Sequence, residues 1–334
     1  MNVLVGDIGG TKTILAIFFT ERGPRRPLIE KTYPSLHYET FEGMVREFLD
    51  EVKIPVDRAC FGVAGPVVGR SARITNLPWV IDGAALQSEF RLADVVLLND
   101  LESVANAIPI LANDDIHTIS AGKAVTNGPI AILAPGTGLG EGFLTCTNGI
   151  YSAHASEGGH VSFAPVGSLQ IGLLDYLNKQ GHKHVSYERV CSGGLGILNL
   201  YTYLKSTGLE EPDWLAAQLS CAEDPTPIIF TAAQDASRPC RLASATLELF
   251  VAILGTEAGN LALKILSTGG IYLGGGISPR IIEHLKTPAF LDALRSKGRF
   301  RQLLTNMPVY VIMNPKAGLL GAAAFGLAVQ TPCQ

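Results

Sequence analysis

The chain has 334 residues, 47% of them hydrophobic and 17% charged, and its 26 basic and 30 acidic residues give a formal net charge of −4. This length suits two domains with a core each, and no segment concentrates lysine and arginine as a nucleic-acid-binding surface would. The six cysteines are scattered without a CxxC pair, which argues against a disulfide framework and a zinc site. We therefore expect a cytoplasmic protein with reduced thiols and no nucleic-acid partner.

The first part of the chain alternates between strand and helix patterns. In chain order, we predict strands over 3–7 and 13–19, a helix over 40–52, a strand over 58–64, a helix over 83–90 capped by Asp82, a strand over 95–98 and a helix over about 101–111. The first two strands are joined by the turn Gly9-Gly10-Thr11, and the apolar strand 95–98 leads into Asn99 and Asp100.

The same pattern starts again near the middle of the chain. We predict strands over 130–134 and 143–147, helical patterns over 168–205 and 241–267, a strand over 271–273, a helix from Pro279, a strand over 309–313 and a helix over 316–329. Residues 4–12 (LVGDIGGTK) and 133–141 (LAPGTGLGE) share a strand, a glycine turn and a second strand, which suggests a duplicated domain. The proline-containing segment 206–240 is predicted to be an irregular surface elaboration.

The alternation of strands and helices predicts the α/β class. Ligands in such folds bind at the carboxyl ends of strands, where Asn99-Asp100 and two of the glycine turns are expected. The helix pattern near 242–266 is apolar enough to span a membrane, but its Glu248, Glu257, Asn260 and Lys264 favour a buried core helix. No membrane partner is expected.

Three glycine turns are candidates for binding phosphate, because glycine lets backbone N–H groups approach phosphate oxygens closely. None of them matches the GxxxxGK[ST] P-loop or a GxGxxG sequence that opens a helix. A single turn of this kind is equally well explained as a tight hairpin without a ligand. Three together favour a nucleotide held by phosphate hairpins.

Several polar residues could carry chemistry, although each has a structural alternative. Asp7 suits Mg²⁺ or a turn cap, and Asp100 suits a general base or a helix cap. His160, in the sequence Glu157-Gly158-Gly159-His160, suits sugar recognition or a buried histidine. Glu188 is at least an acid at a helix N-terminus.

In combination, these residues resemble the bacterial glucokinase family of the hexokinase and actin-like ATPase superfamily. The resemblance covers nearly the whole chain and is carried by the motifs VGDIGGT (5–11), TNLPW (75–79), LND (98–100), APGTGLG (134–140), EGGHVSFAP (157–165), YERVCSG (187–193), GNLAL (259–263) and GGGISPR (274–280). The clustered cysteines of the zinc-containing ROK sugar kinases are missing. Lys12 is more similar to the ROK sequence GGTK, and no role is assigned to it.

The resemblance implies a role for each candidate residue. Asp100 would be the general base that takes the proton of the sugar 6-hydroxyl, and Asn99, Glu157, His160 and Glu188 would bind the hexose. The ATP-binding residues would be Gly6, Asp7, Ile8, Gly9, Gly10 and Thr11 in the first hairpin, Gly136, Thr137 and Gly138 in the second, and Gly274, Gly275 and Gly276 on the adenosine side. Mg²⁺ would accompany ATP, with Asp7 as a ligand through water.

The resemblance also implies two actin-like, ribonuclease H-like α/β domains flanking a cleft, and a homodimer. The smaller domain would comprise residues 1–110 and 314–330, and the larger one residues 111–313. The leading expectation is a kinase that transfers the γ-phosphoryl group of ATP to the 6-hydroxyl of glucose. A kinase for another hexose or an amino sugar, a non-catalytic sugar sensor or regulator, and an actin-like or chaperone-type ATPase stay open as alternatives.

Overall fold

The computed structural model describes residues 1–74 and 77–328. Thr75 and Asn76 of the TNLPW motif, and the predicted ends of the last helix and of the smaller domain at 329 and 330, lie outside this range. The strands are β1 (Asn2–Ile8), β2 (Lys12–Phe19), β3 (Ile29–Pro34), β4 (Arg58–Val63), β5 (Val67–Val68), β6 (Ser71–Arg73), β7 (Val80–Asp82), β8 (Val95–Asn99), β9 (Ile116–Ser120), β10 (Ile130–Pro135), β11 (Leu139–Thr147), β12 (Ile150–Ser156), β13 (Gly270–Leu273) and β14 (Val309–Ile312).

The helices complete an α/β fold and confirm the predicted class. They are α1 (Phe41–Val52), α2 (Gly83–Glu89), α3 (Asp100–Ala107), α4 (Gly167–Lys179), α5 (Tyr187–Val190), α6 (Gly196–Ser206), α7 (Asp213–Ser220), α8 (Thr226–Gln234), α9 (Arg241–Ile265), α10 (Ile282–Leu285), α11 (Pro288–Arg295), α12 (Arg301–Asn306) and α13 (Ala317–Leu327). The chain forms two compact units, the first of residues 1–114, 151–155 and 314–334 and the second of residues 115–150 and 156–313.

The first unit is built on a five-stranded sheet in the order β3-β2-β1-β4-β8. Strands β1 and β2 form an antiparallel hairpin, and β1, β4 and β8 run parallel. Successive side chains of β1 point to opposite faces, so Leu4 packs in the cluster that contains Phe41 and Phe48 of α1, while Val3 packs with Leu319 of α13. Helices on both faces of parallel strands explain why β1 is apolar at successive positions.

The second unit repeats this arrangement, as the similarity of residues 4–12 and 133–141 suggests. Within this unit the strand order is β11-β10-β13-β14-β9, in which β10 and β11 form an antiparallel hairpin and β10, β13 and β14 run parallel. The carboxyl ends of β10 and β13 therefore reach the same edge of the sheet. This geometry brings two of the predicted glycine turns together.

Helix α9 is the long core helix of the second unit. It is long and apolar enough to cross a membrane by length and composition, but 78% of its most apolar window is buried inside the protein. Glu257, near its middle, is 0% exposed. The prediction of a buried core helix is therefore confirmed.

Two predicted segments differ from the structure. Segment 206–240 is not an irregular surface elaboration, because it contains α7 and α8 and contributes Leu215, Ile229 and Phe230 to the core of the second unit. The prolines misled the prediction, since Pro212 and Pro225 stand just before helices, where proline is tolerated. The helical pattern over 168–205 is split into α4, α5 and α6 by the loops around the glycine-rich residues 181 and 193–194.

Candidate active site

The first glycine hairpin joins β1 and β2 in a tight turn. The Gly9 amide donates a hydrogen bond to the Lys12 carbonyl oxygen over 3.0 Å. Ser35, which is 0% exposed, braces the turn: its hydroxyl donates to the Gly9 carbonyl at 2.8 Å and its amide donates to the Thr11 carbonyl at 3.0 Å. Sequence reasoning missed Ser35, because β3, the strand that delivers it, carries no strong strand pattern.

Asp7 lies near the end of β1, beside the hairpin. Burial raises the pKa of its carboxyl to about 6, the negative charge of Asp100 adds to the rise, and Lys12 opposes it. Helix α13 approaches the carboxylate so closely that a Cβ at Gly318 would lie 2.9 Å from Asp7 Oδ2. Only a residue without a side chain fits there.

Two carboxylates that repel each other beside a glycine hairpin are a suitable environment for a cation. Asp7 would bind Mg²⁺ through water beside Asp100, and the cation would offset the repulsion of the two carboxylates and supply positive charge near phosphate oxygens. Within residues 1–74 and 77–328, no three His, Cys, Asp or Glu side chains gather as a metal-ligand cluster.

Asn99 and Asp100 follow β8 and begin α3. The helix cap is Asn99, whose Oδ1 accepts from the Leu101 amide at 3.0 Å while its Nδ2 donates to the Gly65 carbonyl at 3.1 Å. Asp100 is the first helical residue and is exposed, so the alternative that Asp100 is the helix cap is wrong. Its Oδ1 accepts from the Leu101 amide at 2.9 Å, at the helix end that favours negative charge.

His160 connects two carboxylates in the second unit. Its Nε2 lies 3.1 Å from Glu188 Oε2 and 3.8 Å from Glu157 Oε2. The side chains of Glu157, His160 and Glu188 are 80%, 63% and 26% exposed, which rules out the alternative of a buried histidine. An imidazole between two carboxylates, all open to solvent, offers the donors and acceptors that ring hydroxyl groups need.

The backbone joins the two segments that supply these side chains. The amide of Tyr187 donates to the Val161 carbonyl at 3.1 Å, and the amide of Phe163 donates to the Val185 carbonyl at 2.8 Å. Ser186 caps the short helix α5, which presents Glu188 in its first turn. Glu188 is therefore an acid at a helix N-terminus, as the structural interpretation predicts. It also contacts His160.

The second glycine hairpin, between β10 and β11, contacts Glu188. A Cβ at Gly138 would lie 3.2 Å from Glu188 Oε1. The amides of Gly193 and Gly194 donate to the carbonyls of Gly136 and Thr137 at 2.7 and 3.0 Å and hold the turn open. The second glycine turn and the polar cluster around His160 are thus neighbours in this unit.

The third turn lies beside the second. The amide of Gly274 donates to the Leu133 carbonyl at 2.8 Å, and the Ser278 hydroxyl donates to the Gly274 carbonyl at 2.7 Å. Gly275 has φ +74°, and a Cβ there would lie 2.8 Å from the Pro135 carbonyl carbon and closer still to its oxygen. The turn therefore requires glycine at this position.

The predicted site residues fall into two sets, one in each unit. The first unit gathers Asp7, Asn99, Asp100 and the first hairpin at the carboxyl ends of β1 and β8. The second unit gathers Glu157, His160, Glu188 and the other two turns at the carboxyl ends of β10 and β13. Both sets stand where ligands bind in α/β sheets.

Comparisons with known proteins identify a family. A glucokinase family model matches residues 4–329. A glucokinase from Nostoc punctiforme is 40% identical over 335 residues, covering 96% of this chain and 97% of its own length. The crystal structure of glucokinase from an Antarctic psychrotroph superposes with a TM-score of 0.82 at 33% identity, covering 97% of this chain and 98% of that one.

A more distant structure shares the fold. A ROK family glucokinase from Streptomyces griseus, solved in complex with glucose and AMPPNP, has a TM-score of 0.60 at 21% identity and covers 98% of this chain and 99% of its own. The family match, the relatives at about 40% identity and the arrangement of the site lead to one conclusion. This chain belongs to the glucokinase family.

Proposed function

We propose that this chain transfers the γ-phosphoryl group of ATP to the 6-hydroxyl of D-glucose and releases glucose 6-phosphate and ADP. The proposal rests chiefly on the pairing of Asp100 and Asp7 at the carboxyl ends of two strands of one sheet, beside a glycine hairpin. Family membership and the neighbouring structure in complex with glucose and AMPPNP support it.

Asp100 is the general base in this reaction. Its carboxylate accepts the proton of the 6-hydroxyl while the hydroxyl oxygen bonds to the γ-phosphorus and the bond to the β,γ-bridging oxygen breaks. Phosphoryl transfer asks little covalent chemistry of the protein, so alignment and charge compensation dominate. Asp100 is suited to the role because its carboxylate lies on the exposed first residue of α3, at the carboxyl end of β8.

The sugar is held by Glu157, His160 and Glu188, with Asn99 as a further ligand. These groups bind and orient the hexose, since each ring hydroxyl both donates and accepts hydrogen bonds. The three glycine turns bind the nucleotide through backbone amides. Mg²⁺, with Asp7 as a ligand through water, would neutralise charge on the phosphate oxygens.

The first test is ADP release with Mg-ATP against glucose, mannose, fructose and N-acetylglucosamine. Fast turnover with glucose supports the proposal, and preference for another sugar keeps the mechanism and changes the substrate. No release with any sugar would overturn the enzyme proposal in favour of a sugar sensor.

Asp100→Asn tests the general base. We expect turnover to fall by about 10²–10⁴, while calorimetry still detects glucose binding. Asp94→Asn is the matched control, because Asp94 lies just before the same strand at its opposite end and pairs with Arg70. Near-normal turnover of Asp100→Asn would remove Asp100 as the base.

We also propose that the protein acts in the cytoplasm as a homodimer, as expected for this family. Analytical ultracentrifugation at micromolar concentration tests the dimer, and a single monomeric species would refute it.

A further inference from the structure

Two buried carboxylates lie behind the sugar-binding segment of the second unit. Glu141 on β11 is 1% exposed and Glu257 on α9 is 0% exposed. Among the described residues, Oε1 of each carboxyl group has no hydrogen-bond partner. The proposed phosphoryl transfer uses neither residue, and two buried ionised carboxylates repel each other, so their presence needs an explanation.

The polar partners of the pair lie around Glu257. Glu257 Oε2 accepts from Asn260 Nδ2 at 2.8 Å, and its Oε1 lies 3.6 Å from Lys264 Nζ. Lys297 reinforces this side by donating to Asn260 Oδ1 at 2.5 Å. Burial raises the pKa of Glu141 to about 8, the charge of Glu257 adds to the rise, and Lys264 opposes it.

A thiol and a phenol also face the pair, and both have raised pKa values. Burial raises the pKa of the Cys191 thiol, and the charges of Glu141 and Glu257 add to this effect. Burial and Glu257 likewise raise the pKa of the Tyr187 hydroxyl. The basic side chains near the pair are Lys264, which lies beside Glu257, and Lys297, which donates to Asn260.

Glu141 is in direct contact with the segment that carries Glu157 and His160. A Cβ at Gly158 would lie 2.9 Å from Glu141 Cβ and 3.1 Å from Cδ, and closer still to Oε2. The Ser156 hydroxyl donates to the Glu141 carbonyl at 2.8 Å and accepts from the Gly158 amide at 3.1 Å. The Glu141 carboxyl therefore packs directly against Gly158.

The buried cluster also reaches the second sugar-binding segment. Asn260 Nδ2 donates to the Tyr187 hydroxyl at 3.0 Å, and Tyr187 immediately precedes Glu188. The two carboxylates thus lie beneath both segments that meet at His160.

We propose that Glu141 is a positioning residue whose neutral carboxyl, packed under Gly158, keeps Glu157 and His160 in place to bind the sugar. The inference rests on the proposed function for the identity of the ligand. Once Glu141 loses its proton, a second negative charge faces Glu257, and the carboxylate must draw in water or move away. Either response displaces Gly158 and weakens sugar binding, whereas Asp100 and the first hairpin are untouched.

The test is the pH profile of kcat and of KM for glucose between pH 6.5 and 9.5, with saturating Mg-ATP. In the wild type we expect KM to rise about tenfold, equivalent to about 1.4 kcal/mol, with its midpoint near pH 8 and a much smaller change in kcat. Glu141→Gln mimics the neutral carboxyl, so its KM should stay at the wild-type pH 7 value throughout. Glu248→Gln, an exposed position on α9, is the control and should follow the wild type.

Glu257→Gln provides a second variant. Without the neighbouring negative charge, and with Lys264 free to act on it, Glu141 should ionise at lower pH, so the midpoint of the KM rise should move to lower pH. A flat wild-type KM, an equal rise in Glu141→Gln, or an unmoved midpoint in Glu257→Gln would each overturn the inference.

Failure of the proposed function would look different. In that case the wild type releases no ADP with glucose at any pH, and calorimetric binding of glucose takes the place of KM in the same comparison. Glucose binding that weakens at alkaline pH in the wild type, but not in Glu141→Gln, would support the positioning role without catalysis. The absence of any binding would refute both proposals.

Discussion

Gly275 allows a sharp test of how the third glycine turn is built. Gly275→Ala would place a side chain at φ +74°, which costs about 1–2 kcal/mol for a residue with a Cβ. The new Cβ would also lie 2.8 Å from the Pro135 carbonyl carbon, inside van der Waals distance, and overpacking of this kind costs about 1–3 kcal/mol. The two effects together predict a loss of about 2–5 kcal/mol in the free energy of unfolding.

The adjacent residue provides the matched control. A Cβ at Gly276 meets nothing within 4 Å, and its φ is not positive, so Gly276→Ala should change stability by less than about 1 kcal/mol. Urea denaturation measures both variants, and KM for ATP reports whether the distorted turn binds nucleotide less well. Equal stabilities of the two variants would refute the strained geometry, and an unchanged KM in a destabilised Gly275→Ala would remove the turn from the nucleotide site.

Three further predictions concern His160, Glu141 and Gly318. His160→Ala should raise KM for glucose about tenfold or more while KM for ATP stays constant, and an unchanged glucose KM would place His160 outside the pocket. The pKa of Glu141 is raised from 4.5 to about 8, so the folded state holds a proton that the unfolded state releases. The Glu141 contribution to wild-type stability should therefore fall by up to about 5 kcal/mol as pH rises from 4.5 to 8. Urea denaturation of Glu141→Gln should lack this contribution and keep the smaller loss from Asp7, whose pKa is also raised. Gly318→Ala should lower kcat by displacing Asp7. Gly326→Ala is the control on the same helix: its Cβ would meet the Cys60 side chain on β4, so it should cost stability without affecting kcat.

The sequence was sufficient for the elements whose signals are local. The hairpins around Gly9 and Gly136 were predictable because buried strands flank glycines, and Asp82 was correctly identified as a cap since its Oδ1 accepts from two amides of the first turn. The candidate site residues were predicted as a set because their order and spacing resemble a family, and their roles stay a prediction. Segment 206–240 was mispredicted because prolines mark helix starts as well as loops.

Tertiary structure decided what depends on long-range packing. Only the folded chain shows that Ser35 braces the turn at Gly9, 26 residues earlier in the sequence. It also shows that α13 approaches Asp7 closely at Gly318. The raised pKa of Glu141 follows from burial and from the charge of Glu257, which lies on a distant helix, and no pattern in the neighbouring sequence signals it. Periodicity and turn chemistry are properties of neighbouring residues, whereas burial, charge coupling and close backbone approach arise only when distant segments meet.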